Sequence, residues 1–103
     1  MTDAELERYR TEVAALCRRH RVRRLDLFGS AAMGTDRAGE SDLDFLVEFE
    51  PLPPAAYADA WFELREGLLQ LFARPIDLIS APAVINPHLA AAIAAHRELL
   101  YAA

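Results

Sequence analysis

At 103 residues, 53% of them hydrophobic, the chain has room for one domain around one core and too much apolar content for long disordered stretches. Its net charge of −5 argues against wrapping duplex nucleic acid, where affinity comes largely from Lys and Arg on phosphates. The lone cysteine excludes an internal disulfide and a cysteine-based zinc site, and no apolar run approaches the roughly 20 residues that span a bilayer. The acidic start Met1-Thr2-Asp3-Ala4-Glu5 lacks a signal-peptide pattern, so a cytoplasmic location is expected.

Thr2 and Glu5 have capping-box spacing, and Leu6, Tyr9, Val13, Leu16 and Cys17 recur on one helical face. This predicts a helix over 3–20 with Cys17 as a buried, inert thiol. The run Arg18, Arg19, Arg21, Arg23 and Arg24 around His20 reads as a helix C-terminus, whose dipole favours cations, followed by a solvated linker. The alternative for this run is a contact surface for RNA or an acidic partner. Leu25 to Phe28 reads as a short strand stopped by Gly29, Ser30 to Gly34 as a helical turn, and Thr35 to Ser41, around Gly39, as a loop.

From Asp42 to Phe49, Leu43, Phe45, Val47 and Phe49 alternate with Asp42, Asp44, Leu46 and Glu48, which is a strand of period two ending at Pro51. After the stiff Pro53-Pro54 connector, Tyr57, Trp61, Leu64, Leu68, Leu71 and Phe72 predict a helix over 55–73 with Gly67 as a weak point. Pro75 to Ile79 forms a third strand and His88 to Ala95 a helix. Leu99 to Ala102 is a short strand or the end of that helix. Strands interleaved with helices on so short a chain give an α/β (α+β) fold, a small mixed sheet with helices packed on it, in a single domain over 1–103.

Three aspartates stand out because Asp is disfavoured in strands. Asp42 and Asp44, at i and i+2, point to one face with Cα atoms roughly 6–7 Å apart. Asp77 repeats the pattern between Ile76 and Leu78. Carboxylates so close resist joint ionisation, a penalty that a hard, oxygen-liganded cation such as Mg²⁺ removes. Gly29 ends a strand without a side chain, which lets an anion approach the backbone, and Ser30 adds a hydroxyl donor. Each piece alone has an ordinary structural explanation: a strand-to-helix turn, or solvent-facing aspartates. Their combination points to chemistry on a nucleoside triphosphate. His20, His88 and His96 lack metal-ligand spacing.

Leu27-Phe28-Gly29-Ser30, Ser41-Asp42-Leu43-Asp44-Phe45 and Pro75-Ile76-Asp77-Leu78-Ile79 together resemble the polymerase-β-type nucleotidyltransferase superfamily. More closely, they resemble the minimal nucleotidyltransferases (MNT) that act as antitoxins beside a HEPN ribonuclease toxin. The resemblance implies a polymerase-β-like nucleotidyltransferase fold and a triphosphate held at Gly29 and Ser30. It further implies two Mg²⁺ ions on Asp42, Asp44 and Asp77, and transfer of AMP from ATP to a tyrosine of the toxin. Two departures accompany it. The eleven residues between Ser30 and Asp42 exceed the family's usual gap by one. Met33 also stands where members often carry an arginine that neutralises phosphate charge.

These features lead to an expected Mg²⁺-dependent, ATP-using protein adenylyltransferase, with Asp77 also placed to bind or deprotonate the attacking hydroxyl. The expected partner is a HEPN toxin in a hetero-oligomer, or a second copy in a homodimer, because one small sheet face must both bury a nucleotide and position an acceptor. The rival is an antitoxin that neutralises its toxin by binding alone. Membrane association and strong nucleic-acid binding are not expected.

Overall fold

The computed structural model describes residues 1–37 and 41–103. Residues 38–40, part of the expected loop, lie outside the described residues. The first helix, α1 (Asp3–Arg19), starts where the capping box predicts. The Thr2 side chain accepts from the Glu5 N–H, and the Glu5 carboxylate accepts from the Thr2 N–H. It ends at His20, and Arg21, at φ 60°, turns the chain into the first strand.

That strand, β1 (Val22–Phe28), begins three residues earlier than the sequence pattern suggests. Arg23 and Arg24 therefore belong to a strand, not to a solvated linker. Carboxylates supply the reason: Glu48 of the neighbouring strand lies 3.3 Å from Arg23 Nη1, and Asp26 of β1 itself lies 2.9 Å from Arg24 Nε. One turn of helix, α2 (Gly29–Met33), follows, then β2 (Leu43–Phe49), α3 (Pro54–Phe72) and β3 (Ile76–Ser80). A 3₁₀ turn (Ala81–Ala83) leads to α4 (Pro87–Ala95), capped by the Asn86 side chain, and to β4 (Arg97–Ala102). The last segment is thus a strand of its own and not a tail of the helix.

The four strands lie in the order β3-β2-β1-β4. β1 runs antiparallel to both β2 and β4, while β2 and β3 are parallel and are joined by α3 as the crossover helix that such a pair requires. Period-two alternation divides the sheet faces. Leu25, Leu27, Leu43, Phe45 and Val47 are fully buried with Val13 and Cys17 of α1 and Leu64 and Leu68 of α3. Burial pushes the Cys17 thiol up to about 12 against the opposing charge of Arg18, so it is inert at neutral pH. The other face carries a smaller cluster, Phe28, Leu46 and Ile93, through which α4 covers part of the sheet.

Gly67 lies where α3 faces Leu16 of α1. A Cβ there would stand 2.7 Å from Leu16 Cδ2, so its absence lets α3 approach α1. Of the aromatic residues at the start of α3, Tyr57 and Trp61 pack against the core, whereas Phe62 is 65% exposed with its ring edge-on to Trp61. Leu64→Ala removes a fully buried side chain from the centre of the main core. It is expected to cost about 2–5 kcal/mol, read as a lower urea midpoint with an unchanged slope.

Candidate active site

β2 and β3 bring two of the aspartates side by side. Their parallel register pairs Asp44 with Asp77, on strands roughly 4.8 Å apart. Asp44 and Asp77 face away from the main core, on the side that α4 partly covers, since Leu43 and Phe45 fill the opposite face. Asp42 lies one residue before β2, exposed, so the strand starts later than its sequence pattern suggests. It still shares the neighbourhood of Asp44. Burial first, then the charges of Asp77 and Asp42, together push the Asp44 carboxyl up from 3.8 to about 6.

Gly29 closes the group from the β1 side. Phe28 pairs with Asp44 across the antiparallel ladder, and the next residue, Gly29, turns at φ 73° into α2. A Cβ at Gly29 would collide with Asp44 Oδ2 and stand 3.3 Å from Asp44 Cγ. Only glycine therefore allows the strand-to-helix turn to lie against the carboxylate. Ser30 is half-buried in the first turn of α2, and the N-cap Phe28 offers that turn no side-chain acceptor. Backbone N–H groups at such a turn suit a phosphate oxygen.

Two further charged residues near this face escaped the sequence reading. Asp26, 1% exposed, accepts from Arg24 Nε at 2.9 Å and from Arg97 Nη2 at 2.9 Å. Its only sequence signal is an aspartate between two leucines, the same oddity that marks Asp77. Arg74, 6% exposed, bonds Asp36 and the Ser41 carbonyl. Nothing local in the sequence marks it. Asp36 also meets the amino group of Met1. Burial opposes ionisation of Asp36, but the hydrogen bonds and charges of Met1 and Arg74 outweigh it and hold the carboxyl below its ordinary value.

Among the described residues, no group of three or more His, Cys, Asp or Glu side chains is gathered into a metal site by the protein alone. The fit to a hard divalent cation rests instead on the donors. They are all carboxylate oxygens, and the charges of Asp42 and Asp77 resist the ionisation of Asp44. A groove of about 600 Å³ lies between α1 and α3, lined by Leu16, His20, Glu63 and Gly67. None of the aspartates, Gly29 or Ser30 lines it, so it lies apart from the motif. No helix among the described residues is long and apolar enough to cross a membrane.

A profile of the nucleotidyltransferase domain family matches residues 10–100, which includes every residue of this cluster. The chain belongs to the nucleotidyltransferase domain family. It is a nucleotidyltransferase enzyme. Two proteins of Methanocaldococcus jannaschii, MJ1379 and MJ0128, both named as candidate protein adenylyltransferases, are each 31% identical to it over 83 residues, covering 81% of this chain and 79% of theirs. The structure of a candidate minimal nucleotidyltransferase is 31% identical, covers 94% of both chains and superposes with a TM-score of 0.65. The polymerase-β-like fold is shared with more distant structures. One is a toxin–antitoxin complex with AMP-PNP (TM-score 0.68, 22% identity, 91% of this chain and 73% of that one). Another is a tri-AMPylated Shewanella oneidensis HEPN toxin with its MNT antitoxin (TM-score 0.64, 18% identity, 95% and 73%).

The raised Asp44 carboxyl has a thermodynamic consequence. Between about pH 4 and pH 6 the folded protein binds more protons than the unfolded chain, so stability falls as pH rises through that window. Above it the penalty is fully present. Asp44→Asn removes the penalty and is expected to stabilise the metal-free protein at pH 7.5 by about 1–2 kcal/mol after screening by solvent. The gain disappears below about pH 4, and paired thermal melts at the two pH values check it. Gly29→Ala is expected to cost about 1–3 kcal/mol from the left-handed φ and the collision with Asp44. Only the part owed to the collision should vanish in an Asp44→Ala background, while the part owed to the left-handed φ remains.

Proposed function

We propose that this nucleotidyltransferase is an Mg²⁺-dependent antitoxin that moves AMP from ATP to a tyrosine hydroxyl of a partner HEPN ribonuclease toxin. The observation that carries this reading is the placement of Asp44, with Asp77 beside it on β3, Asp42 two residues away and the Gly29 turn against its carboxylate. The candidate adenylyltransferases at 31% identity support protein adenylylation. The neighbouring complexes with AMP-PNP and with an AMPylated HEPN toxin support the nucleotide and the partner.

In this mechanism Gly29 and Ser30 hold the triphosphate through backbone N–H groups and a hydroxyl. Asp42, Asp44 and Asp77 would hold Mg²⁺, whose chemistry when bound is charge neutralisation at the triphosphate and at the attacking and leaving oxygens. Asp77, exposed on the edge strand, faces the approaching acceptor and takes the proton of its hydroxyl. The acceptor oxygen bonds to the α-phosphorus, the α–β bridging P–O bond breaks, and pyrophosphate leaves in line. One sheet face serves this work, and the toxin supplies both the acceptor and the remaining wall of the site.

A second reading is favoured by α2 itself. Its sequence Gly29-Ser30-Ala31-Ala32-Met33 carries no cation, and Met33 is 50% exposed where an arginine would face phosphate. In that reading the protein neutralises its toxin by covering it. Incubation with the toxin, ATP and Mg²⁺ separates the two. Adenylyl transfer adds an adenylate to the intact mass of the toxin, and Asp44→Asn lowers that yield by at least about 10³-fold. Full toxin modification by Asp44→Asn would sink the mechanism. Neutralisation in a co-expression growth assay by Asp42→Ala and Asp44→Ala variants would establish inhibition by binding.

A further inference from the structure

Asp42 lies outside β2 and is exposed, so no strand pairing fixes its backbone. Both of its chain neighbours are nevertheless held, and by the same short segment. On one side the Leu43 N–H donates to the Pro75 carbonyl at 2.9 Å. On the other, the Ser41 carbonyl accepts from Arg74 Nη2 at 2.8 Å and from Arg74 Nε at 3.2 Å. Arg74 and Pro75 lead directly into β3, whose second residue is Asp77.

Arg74 is an unusual residue to find here, because a charged side chain is rarely so deeply buried without specific partners. Its remaining bonds go to Asp36 Oδ2 at 2.8 Å and to the Arg37 carbonyl at 3.4 Å. Asp36, Arg37 and Ser41 all belong to the connection between α2 and β2, the stretch that is one residue longer than usual for the resemblance noted above. Lengthening a connection multiplies the positions its end can take. The planar guanidinium fork grips this connection at Asp36, Arg37 and Ser41.

The geometry points to Arg74 as a positioning residue for the carboxylate cluster. Its clasp on Asp36 and Ser41 sets Asp42 beside Asp44 and Asp77, and thereby sets the affinity of the cluster for a divalent cation. This rests on the metal-binding reading of the three aspartates. Groups that orient metal ligands from behind typically change metal affinity 10- to 100-fold when removed, although they never touch the ion.

The test is Mn²⁺ binding to the full chain without nucleotide, followed by titration calorimetry and by electron paramagnetic resonance, well below the melting temperature of each variant. Arg74→Gln is expected to weaken Mn²⁺ binding by about tenfold. Arg74→Lys, which keeps the charge and loses the fork, should fall between it and the wild type. In an Asp42→Asn background, Arg74→Gln should add less than about twofold, because its effect passes through Asp42. Unchanged Mn²⁺ affinity in Arg74→Gln, with only a lower melting temperature, would overturn the inference. So would losses that multiply independently in the double variant. If Arg74→Gln does not fold, Asp36→Asn loosens the clasp from its other end and carries the same expectations. Absence of Mn²⁺ binding by the wild type would overturn the metal reading and this inference together, whereas wild-type binding that ignores Arg74 overturns this inference alone.

Discussion

The pairing of Asp44 with Asp77 across the parallel β2–β3 ladder is the constraint on which the rest of the molecule depends. Two carboxylates at the same level on adjacent strands repel one another, and neither strand would hold them there on its own account. What holds them is the opposite face. Leu43, Phe45 and Val47 of β2 and Ile76 and Leu78 of β3 are buried against α1 and α3, so a slip of either strand by one residue would expose that row of apolar side chains. Hydrophobic burial on one side of the sheet thus maintains electrostatic crowding on the other. The Gly29 turn adds a third surface to the crowded side without adding a side chain.

In the proposed mechanism the two sides of the sheet also divide the labour between stability and chemistry. The helices α1 and α3 cover one face fully, with Gly67 allowing them to close on each other through Leu16. On the other face α4 reaches only the patch built on Phe28, Leu46 and Ile93. Ion pairs arrange the buried polar residues, with Asp26 between Arg24 and Arg97 on that side and with Asp36 against Arg74 at the connection between α2 and β2. Such buried pairs contribute little net stability, but breaking one leaves an uncompensated charge, so they fix geometry more than they add free energy.

How far this was legible in the sequence varies from element to element. The face of β2 that carries Asp44 follows from a period of two, though Asp42 falls just before the strand, and α1 is announced by Thr2 and Glu5. The alignment of Asp77 with Asp44 was not readable, because register between two strands separated by a 19-residue helix is decided by packing. β1 was read too short because Arg23 and Arg24 look like linker residues until Glu48 and Asp26 are known to face them. Asp26 carried a weak signal that matched that of Asp77. Arg74 carried none, since its role consists entirely of contacts with residues 33 and more positions away.

β3 is the last strand of the sheet, and Asp77 stands exposed on it. In the proposed mechanism its carboxylate is therefore met from the side, at the margin of the sheet, and not through a mouth that an acceptor must thread. A hydroxyl protruding from the surface of another folded protein can reach such a ledge without local unfolding. The same openness admits bulk water as freely as any acceptor, so economy in the use of nucleotide depends on what docks over the ledge and for how long.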